Sequence, residues 1–235
     1  MKFRNEIKYL GSEGMLRIVE ARISPFCIPD MHGGPDGHYT IRSLYFDDPK
    51  DSCLADNESG IDPRFKYRIR MYNGNTDFIV LEQKCKRHGM NHKRVCPISE
   101  LFCRKLLQGE FDPETIPEEF RPPASEGLHL LMDFYADYQL NLFRPKIIVD
   151  YDRTAYLHDI GNVRITLDRS ISASGSVTEF LSETPPLSPV MPPGIHILEV
   201  KYDDILPDHL YHAMAQTGCI RTAFSKYYYS RQFCG

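Results

Sequence analysis

The chain has 235 residues, 42% hydrophobic and 26% charged, which is the composition of a globular protein and not of a disordered one. Single β-barrel units of ~200–250 residues are common, so one domain over residues 1–235 is expected. With 28 basic and 32 acidic residues the formal charge is −4, which argues against broad surface binding of a polyanion and against a nucleic-acid partner.

In chain order, alternation predicts a strand over Phe3–Leu10, followed by a helix over Ser12–Ile23 opened by a capping serine. Cys27 to Gly37 holds Pro29, Gly33, Gly34, Pro35 and Gly37 and reads as a loop. Strands are expected at Tyr39–Phe46, Phe65–Asn73, Thr76–Arg87 and Asn91–Ile98. Ser99–Gln108 follows Pro97 and reads as a second capped helix. Ser125–Leu142 reads as a third, with Leu128, Leu131, Tyr135, Tyr138 and Leu142 on one stripe. Strands return at Lys146–Leu157, Val163–Ser172 and Ile195–Asp203. The proline-rich Thr184–Gly194 between the last two is expected to be a surface connection. Asp208–Gly218 and Ser225–Phe233 would close the chain as helices. Eight strands with a few helices between them predict an α+β barrel.

Several functional classes find no support in these residues. The longest apolar run, Phe78–Leu81, falls far short of the ~20 residues of a membrane helix, and the charged start from Lys2 to Glu6 is not that of a secretory signal. Seven cysteines without a Cys-x-x-Cys pair argue against a disulfide framework or structural zinc and for a reducing cytoplasm. His88 and His92 flank a turn and His209 and His212 lie at i, i+3, but neither pair has a third ligand nearby. The common phosphate-loop, dinucleotide and serine-hydrolase signatures are absent.

The informative feature is the polar face of the strands. Glu6 and Lys8 share a face, as do Lys66, Arg68 and Arg70; Glu82, Lys84 and Lys86; Tyr151 and Arg153; Arg164, Thr166 and Asp168; and Glu199 and Lys201. Any one of these is what a solvated outer face looks like. The whole set, with bases dominant and acids recurring as Glu-x-Lys, fits a barrel whose charged faces point inward. Lys8, Arg68, Arg70, Lys84, Lys86, Arg153, Arg164 and Lys201 against Glu6, Glu82 and Glu199, with Lys226 added as a ninth base by the family resemblance given below, would give a basic lumen within an acidic shell. Charge repulsion would destabilise such a lumen unless an anion filled it. Arg forks and Lys point charges suit phosphate, and a few carboxylates suit a divalent metal on phosphate oxygens.

At these residues the chain resembles the VTC domain of vacuolar transporter chaperone-type polyphosphate polymerases, within the triphosphate tunnel metalloenzyme fold. The resemblance rests on Glu6-Ile7-Lys8-Tyr9, Ser43-Leu44-Tyr45-Phe46-Asp47, Lys66-Tyr67-Arg68-Ile69-Arg70, Leu81-Glu82-Gln83-Lys84, Tyr151-Asp152-Arg153-Thr154-Ala155, Val163-Arg164-Ile165-Thr166-Leu167-Asp168, Leu198-Glu199-Val200-Lys201-Tyr202 and Ser225-Lys226-Tyr227, in the family's order. It implies a closed eight-stranded antiparallel β-barrel with helices packed outside. It also implies catalytic roles for Arg68, Arg70, Lys84, Arg153 and Arg164. Lys8, Tyr151, Lys201, Ser225 and Lys226 would bind substrate phosphates, as would Lys93, with Arg94 competing for that place. Glu199, and with less support Glu6, would hold Mn²⁺ or Mg²⁺; other enzymes of this fold use several N-terminal glutamates where this chain keeps one. The likeness is to the free-standing form found in bacteria, with ATP and polyphosphate as ligands and room for a membrane-protein partner outside the tunnel.

Three readings follow. The first is an ATP-dependent polyphosphate polymerase, in which the γ-phosphoryl group passes to a growing chain. The second is a metal-dependent tri- or polyphosphatase or nucleoside triphosphatase, with Glu6 or Glu82 orienting water. The third is a non-enzymatic module that binds polyphosphate or inositol phosphates.

Overall fold

The structure, a computed structural model, describes residues 4–34, 37–112, 126–215 and 217–234. All eight expected strands form: β1 (Asn5–Ser12), β3 (His38–Asp47), β4 (Arg64–Tyr72), β5 (Asn75–Arg87), β6 (Met90–Ile98), β7 (Arg144–His158), β8 (Val163–Ser174) and β10 (Ile195–Tyr202). Three short strands join them: β2 (Ile28–Pro29), β9 (Ser188–Pro189) and β11 (Ile220–Thr222). Phe3, Pro35 and Ser125, which the sequence placed at a strand start, in a loop and at a helix start, lie outside the described residues.

The strands form one antiparallel sheet in the order β11-β1-β10-β8-β7-β3-β4-β5-β6, with β2 on β7 and β9 on β8. The tight hairpins β4–β5 and β5–β6 turn on Asn73-Gly74 and His88-Gly89, all four at φ between 51° and 75°. Paired left-handed residues are what a two-residue turn matched to strand twist requires.

Among the described residues the sheet is not closed into the expected barrel. The last strand, β6, meets the chain just before β1 through one bridge, Arg4 with Asn91. Beyond that point β11 takes the outer edge of β1, pairing Lys8, Tyr9 and Leu10 with Thr222, Arg221 and Ile220. Three residues are too few to show a period, so β11 was not suggested by the sequence. The sheet curls until its ends meet at that single bridge, and among the described residues no continuous ladder joins them.

Among the described residues six helices cover the apolar faces. α1 (Glu13–Ile23) starts at Ser12, whose Oγ accepts from Met15 N at 3.4 Å, and buries Leu16, Val19 and Ile23 on Val163, Ile165, Leu167, Leu198 and Val200. α3 (Glu100–Leu107) is capped by Ser99. α4 (Glu126–Leu140) buries Leu130, Leu131, Phe134 and Tyr138. The expected stripe is thus rotated: Tyr135 and Leu142 are exposed, because Phe134 fills the gap beside Phe46 and Tyr67. α5 (Asp208–Met214) is shorter than expected, and α6 (Lys226–Cys234) closes the chain.

α2 (Ser52–Glu58) is a helix the sequence did not suggest. Its flanking residue Asp51 makes no side-chain cap. Its first N–H groups donate instead to Asp47 (Cys53 N 2.9 Å, Leu54 N 3.0 Å) and Asp48 (Ser52 N 2.9 Å). The proline-rich 184–194 segment is anchored and not simply a surface loop: β9 pairs with β8, and Val190 is buried.

Candidate functional site

Alternation gives each long strand an apolar face under the helices and a polar face inside the curl. The polar faces enclose a cavity of about 940 Å³. All thirteen residues expected at the site line it: Glu6 and Lys8 from β1, Arg68 and Arg70 from β4, Lys84 from β5, Lys93 from β6, Tyr151 and Arg153 from β7, Arg164 from β8, Glu199 and Lys201 from β10, and Ser225 and Lys226 at the start of α6. The Lys93–Arg94 alternative is resolved. Lys93 faces the cavity, whereas Arg94 turns outward to Gln83 and Asp133. Eleven basic side chains and three carboxylates line the chamber among the described residues. Lys86 belongs instead to a second cavity of about 480 Å³, while Arg4, Lys66 and Lys93 join the lining.

The carboxylates are shared among the bases. In the antiparallel register Glu6 lies opposite Lys201, and Lys8 opposite Glu199, so two Glu-x-Lys motifs run past each other with unlike charges facing. Lys8 Nζ bridges both acids, at 3.2 Å from Glu6 and 3.5 Å from Glu199. Lys84 reaches Glu6 at 2.9 Å and Lys201 reaches Glu199 at 2.6 Å. Glu82, 1% exposed, takes Arg68 at 2.6 Å, Lys93 at 2.8 Å and Arg70 at 3.6 Å. Asp168, buried behind the wall, forms a two-point pair with Arg153 (2.6 and 2.8 Å) and takes Lys226 at 2.5 Å. Asp30 pairs with Arg164 at 2.6 Å. Acids from β1, β5, β8, β10 and the loop before β3 thus partner most of the lining cations, and the cations still outnumber them.

These contacts set the titration of the site. Burial alone would raise Glu82, but the Arg68, Arg70 and Lys93 charges outweigh it and hold the carboxyl well below the usual range. Burial would likewise raise Glu199, yet Lys201, Lys8, Lys226 and Lys84 hold it low. Glu6 is raised by burial and by Glu199, and lowered further by Lys84, Lys8 and Lys201. Lys84 falls to about 8, with burial the largest cause. Tyr45 would be raised by burial, but Arg68, Lys66 and Arg70 pull it down to about 7.

Tyr45, Tyr39, Arg4, Lys66 and Asp168 are additions to the expected site. Tyr45 OH accepts from Arg68 Nη1 at 3.1 Å, and Tyr39 OH from Arg164 Nη2 at 2.8 Å. Lys66 shares a strand face with Arg68, and Asp168 with Arg164, so the same alternation was the signal for both. Tyr151 accepts from Arg70 at 3.2 Å, and its ring lies under Lys226 Nζ at 4.6 Å and Arg153 at 5.2 Å.

Glu6 and Glu199 are the pair to weigh as metal ligands. Both reach the same Lys8 ammonium, so their oxygens converge on one cation position, and hard carboxylate oxygens suit Mg²⁺ or Mn²⁺. Among the described residues no group of three or more metal-ligating side chains is present. Mg²⁺ held by one or two carboxylates plus substrate phosphates is the usual arrangement, so the pair fits a metal that arrives with its substrate.

A curled antiparallel sheet with outer helices and a chamber lined by strand-borne Lys and Arg defines the class: an α+β triphosphate-tunnel fold. The chain belongs to the VTC domain family, whose model matches residues 3–234. Among solved structures, that of the proposed adenylyl cyclase HpAC1 from Hippeastrum, described as revealing a dominant triphosphatase activity, has a TM-score of 0.53 at 15% identity, over 100% of this chain and 97% of its own. A proposed adenylate cyclase from Bacillus halodurans has a TM-score of 0.47 at 14% identity, over 90% of this chain and 86% of its own. The likeness to HpAC1 is one of fold. No curated protein matches the chain. Among the described residues no helix is long and apolar enough to cross a membrane.

Proposed function

We propose that the chain is an enzyme acting on triphosphates and, specifically, an ATP-dependent polyphosphate polymerase. The observation that carries this reading is the chamber: a concave, multi-cation wall in which the lining carboxylates are held ionised by their partners. Such a wall offers no general base near neutrality among its acids, but it is well suited to neutralising several phosphoryl groups at once. Phosphoryl transfer through a loose transition state needs positioning and charge neutralisation more than a protein nucleophile.

Arg68, Arg70, Arg153 and Arg164 would grip the triphosphate, with Lys8, Lys84, Lys93, Lys201 and the Ser225–Lys226 pair extending the hold along the chain. Tyr151 would sit beside the nucleotide phosphates. An oxygen of the terminal phosphate of the acceptor forms a new bond to the γ-phosphorus of ATP, the bond from that phosphorus to the β–γ bridging oxygen breaks, and ADP leaves with the electron pair. Glu6 and Glu199 would hold Mn²⁺ or Mg²⁺, which when bound supplies further neutralisation of phosphate charge.

A second reading is favoured by the activity named for HpAC1. If water replaces the phosphate acceptor, the same chamber is a triphosphatase, with Glu6 or Glu82 orienting the water. Incubation with ATP and Mn²⁺, followed by gel staining for polyphosphate, separates the two. Long chains are expected; orthophosphate and ADP alone would make the chain a hydrolase, and no turnover would leave a binding module. Arg68→Ala is expected to raise the barrier by about 2–4 kcal/mol. Near wild-type turnover in that variant would count against the chamber as the site.

A further inference from the structure

Lys66 is the exception in the chamber. Each of the other ten basic lining residues has a carboxylate within ion-pair distance; among the described residues, Lys66 has none. Its Nζ donates one long hydrogen bond, 3.4 Å, to Ser225 Oγ, and lies 6.0 and 5.7 Å from the ring centroids of Tyr45 and Tyr227. Strand register explains the isolation. Lys66 on β4 lies directly opposite Lys84 on β5, which lies opposite Lys93 on β6. Like charges in facing positions destabilise a sheet. Glu82 answers Lys93 and Glu6 answers Lys84, so the third ammonium of the row is left without an acid.

The position of Lys66 gives this isolation a use. Lys66 lines both the main chamber and the second cavity of about 480 Å³, as do Ser225, Asn91, Lys8, Lys84 and Glu6; of these three lysines, only Lys66 has no carboxylate partner among the described residues. The second cavity is also basic, with Arg64, Lys86 and Arg221 in its wall. None of Arg68, Arg70, Arg153 and Arg164 reaches it. A triphosphate gripped by those arginines stays in the chamber, whereas a longer anion that continues outward passes the neck where Lys66 stands.

We propose that Lys66 and the Ser225 hydroxyl form a phosphoryl subsite at the neck between the two cavities, filled only by a phosphate chain long enough to run from one into the other. This deepens the polyphosphate reading and rests on it: the neck would make the protein discriminate by chain length. The surroundings of Lys66 agree. Burial first, then Lys84 from β5, Lys8 from β1 and Arg68 from its own strand, lower it to about 7, with Tyr45 from β3 opposing; Ser225 and Tyr227 are its contacts on the α6 side. An incoming phosphoryl group supplies the missing counter-charge, so the amine takes up a proton as the chain arrives.

Titration calorimetry of the whole chain with tripolyphosphate and with long-chain polyphosphate, each in two buffers of different ionisation heat at slightly alkaline pH, tests the proposal. Long-chain binding should take up more protons than tripolyphosphate binding. Lys66→Met should weaken the long chain about tenfold, by loss of one charge-assisted contact, and weaken tripolyphosphate several-fold less. Lys66→Arg should retain most of the long-chain affinity but lose the proton uptake, which a merely structural lysine would not show. Losses as large for tripolyphosphate as for the long chain, or no loss for either, overturn the neck subsite and leave the chamber standing. A wild-type chain that binds neither ligand overturns both.

Discussion

At the scale of single residues, the titration of Tyr45, Lys66 and Lys84 makes a stability prediction. Their ordinary values are 10.0, 10.5 and 10.5, and in the fold they stand at about 7, 7 and 8. Above pH 7 the unfolded chain therefore binds more protons at these groups than the folded chain, and stability rises with pH. Buried thiols such as Cys53 and Cys103, whose pKa burial raises, oppose this only above about pH 8.5, where unfolded cysteines begin to ionise. The melting midpoint of the ligand-free protein should climb between pH 7 and about 8.5, and Lys66→Met should flatten part of that climb. A falling midpoint across this window in the wild type would contradict the placement of these charges. On the acid side Glu6, Glu82 and Glu199, all held low, contribute stability that is present above the usual carboxylate pKa of 4.5 and is lost as pH falls below it. The identities of the lining residues were legible because period-two alternation exposes them strand by strand. The isolation of Lys66 was not, since it depends on which residue of β5 faces it.

At the scale of elements, α6 carries Ser225 and Lys226 to the chamber and is held by α2 and the end of β3. Tyr227 OH donates to Asp47 at 2.5 Å, and Asp47 also accepts from the first N–H groups of α2. Arg231 grips Asp51 with two nitrogens at 3.0 and 2.9 Å. Asp47→Ala removes an N-terminal helix cap and the partner of a buried phenol together. A cost of about 2–4 kcal/mol is expected, read from denaturant unfolding, since each such loss is worth ~1–2 kcal/mol. Faster amide exchange confined to residues 226–234 and to α2 should accompany it; uniform acceleration through the sheet would mean that Asp47 is a core residue and not an anchor. α1 and α3 were legible from their serine caps. α2 was hidden because its caps come from Asp47 and Asp48, upstream of the position where a cap is sought. The register of α4 was misjudged because two apolar stripes overlap on it and only packing against Phe46 and Tyr67 chooses between them.

At the scale of the molecule, the eight strands were readable because both faces carried a signal, apolar under the helices and charged within. Closure was not readable, because alternation within a strand does not say which strand lies beside it. Among the described residues the seam between β1 and β6 is held by one backbone bridge and, across it, by Lys84 from β5 on Glu6 from β1. An anionic chain touching Lys8 on one side and Lys84 and Lys93 on the other would tie the seam. Amides of Met90–Ile98 should exchange faster than those of the central strand β7 in the ligand-free chain and slow on addition of tripolyphosphate. Unchanged exchange at β6 on saturation would place the ligand away from the seam.

The pairing of nearly every lining base with an internal acid bears on traffic as well as on resting stability. A wall of uncompensated cations would bind a polyanion so tightly that it could neither advance nor leave. On the proposed reading, a phosphoryl group at any base but Lys66 would displace a resident carboxylate, which would be ready to retake its base when the group moved on. Shallow, repeated, exchangeable holds are what allow passage through a line of sites without arrest. The acids of the chamber would then act as standing counter-ions and set how easily a bound chain could slide.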